Sequence, residues 1–224
     1  MANMDFEQAR FNMIKQQIRT WEVLDQKVLD MLFKVRRENF VPAAYRTLAF
    51  ADTEIPLDHG QYMWPPRMEA RVIQDLALIG AENVLEIGTG SGYFTALLAQ
   101  FAASVTSIEI HPDLLAAAGE KLKQADIKNV MLKAGDAAKD PRKVMGIDQT
   151  FDVIVLTGSV PILPPAYLEM LNPGGRLFAV IGDAPVMEAS LITCNRSGSW
   201  VSRSLFETIV APLINVLQPV RFSF

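Results

Sequence analysis

The chain has 224 residues, half of them hydrophobic and 21% charged, with a formal net charge of -4. That length and apolar content suffice for one large core, and the acidic balance gives no electrostatic ground for a nucleic-acid partner. The single cysteine, Cys194, excludes an internal disulfide framework and a cysteine-rich metal site, and it fits a reducing, cytoplasmic setting. The two histidines, His59 and His111, are too few for a typical zinc site and are expected to lie far apart, so no metal is expected. Residues 1–5 lack a basic n-region and an apolar stretch, so no signal peptide is expected. No uncharged apolar run reaches about 18 residues, and no membrane span is expected.

Residues 5–40 read as helical. Phe6, Ala9, Phe11, Ile14 and Ile18 give an imperfect spacing of three and four, while Val28, Leu29, Leu32 and Val35 give a clearer one. Asp25 is placed to cap the second helix, and the stretch ends near Val41-Pro42. Arg36, Arg37 and Glu38 read as a solvated face. Pro56, Gly60, Pro65 and Pro66 break residues 43–66 into extended segments and loop. Helical spacing returns over residues 67–78 through Met68, Val72, Ile73 and Leu76.

Strands and helices then alternate. Strands are expected over 84–87, 105–110, 129–133, 151–156 and 176–181, with helices after Tyr93, over 114–125 and over 166–171. The run Val153-Ile154-Val155-Leu156 suits a strand covered on both faces. Asn172-Pro173-Gly174-Gly175 reads as a turn. Residues 186–194 and 203–210 read as an antiparallel pair joined by a polar turn at 195–199. The expected fold is therefore α/β, Rossmann-like and doubly wound. It has a mostly parallel seven-stranded sheet, a C-terminal antiparallel hairpin and an N-terminal helical extension. One domain spans 1–224, with the extension over 1–66 and the α/β core over 67–224.

Within this pattern the strand ending at Ile87 runs into Gly88-Thr89-Gly90-Ser91-Gly92, and a helix follows. Glycines at alternate positions let backbone approach a ligand closely and take positive φ. A dinucleotide fingerprint needs G-x-G-x-x-G, but Tyr93 stands where its third glycine would come nearest, and no Gly-Lys-Ser/Thr completes a phosphate loop. What remains is E-x-G-x-G-x-G, which resembles the first cofactor motif of S-adenosylmethionine-dependent methyltransferases.

Such a cofactor needs a close turn for its amino-acid moiety, an acid for the ribose hydroxyls, contacts for adenine and room at the sulfonium. Gly88, Thr89, Gly90 and Gly92 supply the turn. Glu109, about twenty residues on, can accept both ribose hydroxyls, with Ile110 beside it; the alternative is an ordinary surface carboxylate. Gly135 and Asp136 follow the third strand, where Asp136 can accept from the adenine amino group or cap a helix. Glu86 can bridge to backbone donors of the turn or to the ligand's ammonium. Thr157, Gly158 and Ser159 lie at the C-terminal end of the fourth strand, where open sheets place ligands. Asp152, at the opposite end, reads as structural. His111 could edge the adenine, and His59 is a weak acid/base candidate.

Several stretches together resemble one family, the protein-L-isoaspartate O-methyltransferases. They are VLEIGTGSGYFTALLA at 84–99, residues 151–155, LNPGGRLFAV at 171–180, Gly60-Gln61 and Arg36-Arg37-Glu38-Asn39-Phe40-Val41-Pro42. The resemblance implies a seven-stranded methyltransferase sheet with an added N-terminal helical segment. It also implies S-adenosylmethionine as cofactor and a carboxylate of an isoaspartyl protein or peptide as methyl acceptor. The family's loop typically reads G-Q-T-I-S-x-P, whereas this chain has Gly60-Gln61-Tyr62-Met63-Trp64-Pro65-Pro66. Tyr62 and Trp64 thus stand where the family has small hydroxyls near the acceptor, and with Ser159 they are the candidate catalytic residues. The cofactor end carries over, but the acceptor end does not, and little transfer to isoaspartyl peptides is expected. A small-molecule O-methyltransferase and a cofactor-binding protein without turnover stay open as alternatives.

Overall fold

The structure, a computed structural model, describes residues 5–145, 149–195 and 199–219. Most of the expectation about residues 1–5 therefore lies outside the described residues, as does the centre of the turn at 195–199 (residues 196–198). Among the described residues no helix is long and apolar enough to cross a membrane.

The N-terminal segment is helical but broken. Helix α1 (Phe6–Asn12), capped by the Asp5 carboxylate, passes into a π-helical turn over Met13–Ile18 and a 3-10 turn over Arg19–Trp21. Helix α2 (Gln26–Lys34) starts on the Asp25 side chain, which accepts from Lys27 N–H. It stops at Lys34, short of the expected end near Val41-Pro42, and 3-10 turns follow at Arg37–Asn39 and Ala43–Leu48. Strands β1 (Ile55–Pro56) and β2 (Tyr62–Met63) form a small antiparallel ribbon ahead of α3 (Pro66–Leu76).

The reading of Arg36, Arg37 and Glu38 as a solvated face is corrected, because Arg37 and Glu38 are buried and only Arg36 is exposed. Each buried charge has an opposite partner, which is what makes burial tolerable. Arg37 Nε lies 3.0 Å from Glu69 Oε2, and Glu38 pairs with the buried Arg10. A charge run in sequence does not distinguish water from a distant counter-charge.

The α/β part follows as β3 (Asn83–Ile87), α4 (Tyr93–Ala99), β4 (Ser104–Glu109), α5 (Pro112–Gln124), β5 (Val130–Ala134) and α6 (Arg142–Met145). Next come β6 (Phe151–Val160), α7 (Pro165–Glu169), β7 (Leu171–Asp183), β8 (Val186–Cys194) and β9 (Trp200–Glu207). Among the described residues seven strands form one sheet in the order β5-β4-β3-β6-β7-β8-β9. Strands β3 to β7 are parallel to one another, and β8 and β9 are antiparallel additions. The last strand begins and ends about three residues earlier than expected, which leaves 208–210 to a C-terminal tail.

Alternation sets the two cores. In β6 and β7, Val153, Val155, Phe178 and Val180 face the layer that holds α3, α4 and the N-terminal helices. Ile154, Leu156, Leu177 and Ala179 face Tyr167 and Met170 on the other side. This period of two, apolar on both faces, is why the strand at 151–156 is so uniformly hydrophobic. Asp152, the exception, accepts from Asn83 N–H and the Asn172 amide and ties the N-terminal ends of three strands together.

Candidate active site

The chain winds from β3 outward through β4 to β5, then returns to the other side of β3 with β6. The crevice beyond the C-terminal ends of β3 and β6 is the switch point where open parallel sheets bind ligands. A cavity of about 960 Å³, measured out to its open mouth, lies there.

The glycine turn forms its floor. Gly88, Gly90 and Gly92 all have positive φ, at 98°, 52° and 82°. A Cβ on Gly88 would overlap Thr157 Oγ1, which donates to both the Ile87 and Gly88 carbonyls at 2.8 Å. Gly92 does not line the cavity: a Cβ there would meet Ala118 Cβ at 3.0 Å, so its task is to let α4 and α5 approach. Gly88, Thr89 and Gly90 do line it, with Glu109, Ile110, Gly135, Asp136 and Thr157. Glu109 closes the turn from the end of β4, accepting from Gly90 N–H at 2.9 Å and from His111 N–H at 3.1 Å. Asp136 Oδ1 accepts from Ala138 N–H, and Oδ2 accepts from the Asn215 amide.

Glu86 is placed differently from either expectation. It is fully buried beneath the turn and does not line the cavity. Its Oε2 accepts from Thr95 Oγ1 at 2.5 Å and Ser107 Oγ at 2.6 Å, not from the turn's backbone donors. The Thr89 and Ser107 hydroxyls lie 2.6 Å apart, so Thr89 is linked through Ser107 to Glu86. The glycine turn thus rests on a buried hydroxyl relay. Burial pushes the Glu86 carboxyl up to about 8, partly offset by the two hydroxyls. Thr95, set among Phe94, Ala96, Leu97 and Leu98 in α4, was the signal for it.

Ser159 is also corrected. The β6–β7 register shifts between Val155 and Ser159, which pushes Thr157 and Gly158 toward the cavity and returns Ser159 to pairing with Val180. Its hydroxyl, fully buried, donates to the Val210 carbonyl and anchors the tail instead of facing an acceptor. The tail itself, residues 210–214, forms a cavity wall that no local pattern announced.

Tyr62, Met63 and Trp64 line the same cavity. Tyr62 is 47% exposed, while Trp64 is 5% exposed and meets Phe94 and Phe178 edge-on at centroid separations of 5.3 and 6.0 Å. The Trp64 carbonyl accepts from Arg37 Nη2 at 2.6 Å, and Arg37 also reaches the Ala49 carbonyl. Burial raises the Glu69 carboxyl to about 7, with Arg37 pulling against that rise. The histidines, expected far apart, stack in parallel with centroids 4.0 Å apart, and His59 Nε2 contacts Asp113 Oδ2 at 2.8 Å. Neither lines the cavity. Folding brings the 59–62 loop over the start of α5, a contact of high sequence separation that spacing alone does not report.

The charged groups on the cavity wall are four carboxylates, Glu54, Glu69, Glu109 and Asp136, with no lysine, arginine or histidine among the described lining residues. That set of acceptors, beside a turn in which a Cβ on Gly88 would overlap Thr157, suits a ligand carrying positive charge and ribose-like hydroxyls.

Comparison with known proteins agrees with this geometry. The family model for protein-L-isoaspartate(D-aspartate) O-methyltransferase matches residues 8–218. A protein-L-isoaspartate O-methyltransferase of Koribacter versatilis is 34% identical over 92% of this chain and 90% of its own length. One from Anaeromyxobacter sp. is 40% identical over 74% of this chain and 77% of its own. Among solved structures, the fold is similar to that of a Plasmodium falciparum protein-L-isoaspartate O-methyltransferase in complex with S-adenosyl-L-homocysteine. That likeness has a TM-score of 0.76 at 20% identity and covers 94% of this chain and 99% of that one. Cavity, sheet order and sequence agree, and the chain belongs to the protein-L-isoaspartate(D-aspartate) O-methyltransferase family.

Proposed function

We propose, against the little transfer expected from Tyr62 and Trp64, that this methyltransferase transfers the methyl group of S-adenosylmethionine to a carboxylate oxygen of an isoaspartyl residue in a protein or peptide. The observation that carries the reading is the continuity of one cavity from the glycine turn, Glu109 and Asp136 to Tyr62 and Trp64. When bound, the cofactor supplies an electrophilic methyl on a sulfonium. Gly88, Thr89 and Gly90 hold its amino-acid portion, Glu109 its ribose, and Asp136 with Ile110 its adenine.

An acceptor carboxylate is already ionised at neutral pH, so the chain needs no general base for it. Its own residues act by alignment and by excluding water. Trp64, fixed by Phe94, Phe178 and Arg37, gives the acceptor end a rigid apolar wall, and the Tyr62 phenol is the hydrogen-bonding group that replaces the family's small hydroxyls. A methylation assay on an isoaspartyl peptide beside its normal aspartyl twin tests the proposal. Adenosylhomocysteine should be released with the first and not the second. Equal turnover on both, or none on either, would overturn it.

A further inference from the structure

Each lining carboxylate can be asked where its charge is balanced. Glu109 has two backbone N–H donors, Asp136 has Ala138 N–H and the Asn215 amide, and Glu69 has the Arg37 guanidinium. Glu54 is different. It is half-buried on the cavity wall and makes no hydrogen bond or ion pair with any described residue, and burial alone pushes its carboxyl upward. A desolvated, uncompensated carboxylate on a cavity wall is a cost that a ligand of opposite charge removes.

Its position assigns it to the acceptor end. Ile55 pairs with Met63 in the β1–β2 ribbon, so Glu54, one residue ahead, falls opposite Trp64, one residue beyond. Tyr62, on the second strand of that ribbon, exposes nearly half its surface beside the cavity. Carboxylate and aromatic faces together form a surface that suits an ammonium or guanidinium. Arg37 does not line the cavity, and its Nε, Nη1 and Nη2 donate to Glu69, Ala49 and Trp64.

We propose that Glu54 is a specificity determinant that pairs with a cationic group, an ammonium or guanidinium, carried next to the carboxylate that is methylated. The inference rests on the isoaspartyl reading above. Acceptors with a basic neighbour are drawn in, and those with an acidic neighbour are repelled by the same charge.

The test uses three isoaspartyl peptides that differ only in the residue after the isoaspartate, which is Lys, Gln or Glu. At low ionic strength kcat/KM should fall from the Lys to the Glu peptide by about tenfold, with the difference mainly in KM, and added salt should narrow it. Glu54→Gln should shrink that span to about twofold while the adenosylmethionine dissociation constant stays within about twofold. Glu54→Lys should reverse the order. Equal kcat/KM for the Lys and Glu peptides, or an unchanged span in a folded Glu54→Gln variant, would overturn the proposal. So would weakened adenosylmethionine binding with the preference intact, which would assign Glu54 to the cofactor. No transfer to any of the three peptides would instead be the failure of the isoaspartyl reading, and the inference would fall with it.

Discussion

Trp64 shows how a residue that departs from its family is fixed by its neighbours. Its indole is buried between Phe94 and Phe178, and its carbonyl is held by Arg37, so it is at once core and cavity wall. Truncation to the family's serine leaves a large void in an aromatic cluster, and such large-to-small changes cost about 3–5 kcal/mol. Trp64→Ser should therefore lower the urea midpoint by a corresponding amount, and a loss below about 1 kcal/mol would mean that the indole is not packed as described. Restoring the small hydroxyl does not by itself rebuild a polar pocket, because Phe94 and Phe178 still border the vacated space.

Between elements, the decisive contact is the one from the end of β4 to the glycine turn. Glu109 reaches Gly90 N–H with one oxygen and His111 N–H with the other, so it shapes the turn while facing the cavity. Glu109→Ala removes charge-assisted hydrogen bonds and should weaken adenosylhomocysteine binding by about 1–3 kcal/mol in calorimetry. An unchanged dissociation constant in a folded variant would leave Glu109 as a brace for the turn alone. Much of this was legible beforehand, since an acid about twenty residues after a glycine turn is a spacing that a βαβ unit imposes. Glu86, four residues ahead of Gly90, was read from the same motif but sits beneath the turn on Thr95 and Ser107. Position in a motif does not specify which face of the strand its side chain takes.

For the molecule as a whole, Glu86 links stability to pH. Its folded carboxyl is raised to about 8 from an ordinary value near 4.5. Between those values the native state holds a proton that the unfolded state has released, so the unfolded state binds fewer protons and stability falls as pH rises. Below the unfolded value the term is absent, and it is fully developed only above about pH 8. The thermal midpoint should therefore drop from pH 6 to pH 9, through a term on the order of 2–5 kcal/mol. Glu86→Gln, which mimics the protonated form, should flatten that part of the profile. An equal drop in both proteins would assign the pH dependence to other groups.

The sequence by itself determined the order of the strands of the α/β part, their alternation and the glycine turn, but not α6 or the inclusion of 172–175, read as a turn, in β7. What it determined depends on local spacing, on residues without a Cβ and on runs with period two, all of which are written along the chain. Only the tertiary structure decided where the charges and the tail went. Arg37 and Glu38 read as a solvated run but found Glu69 and Arg10, 32 and 28 residues away, and became buried braces. His59 and His111 met face to face, Ser159 turned from the cavity to hold Val210, and residues 210–214 closed a wall. Each of these depends on a partner far along the chain, and burial and pairing of polar groups are properties of the assembled fold.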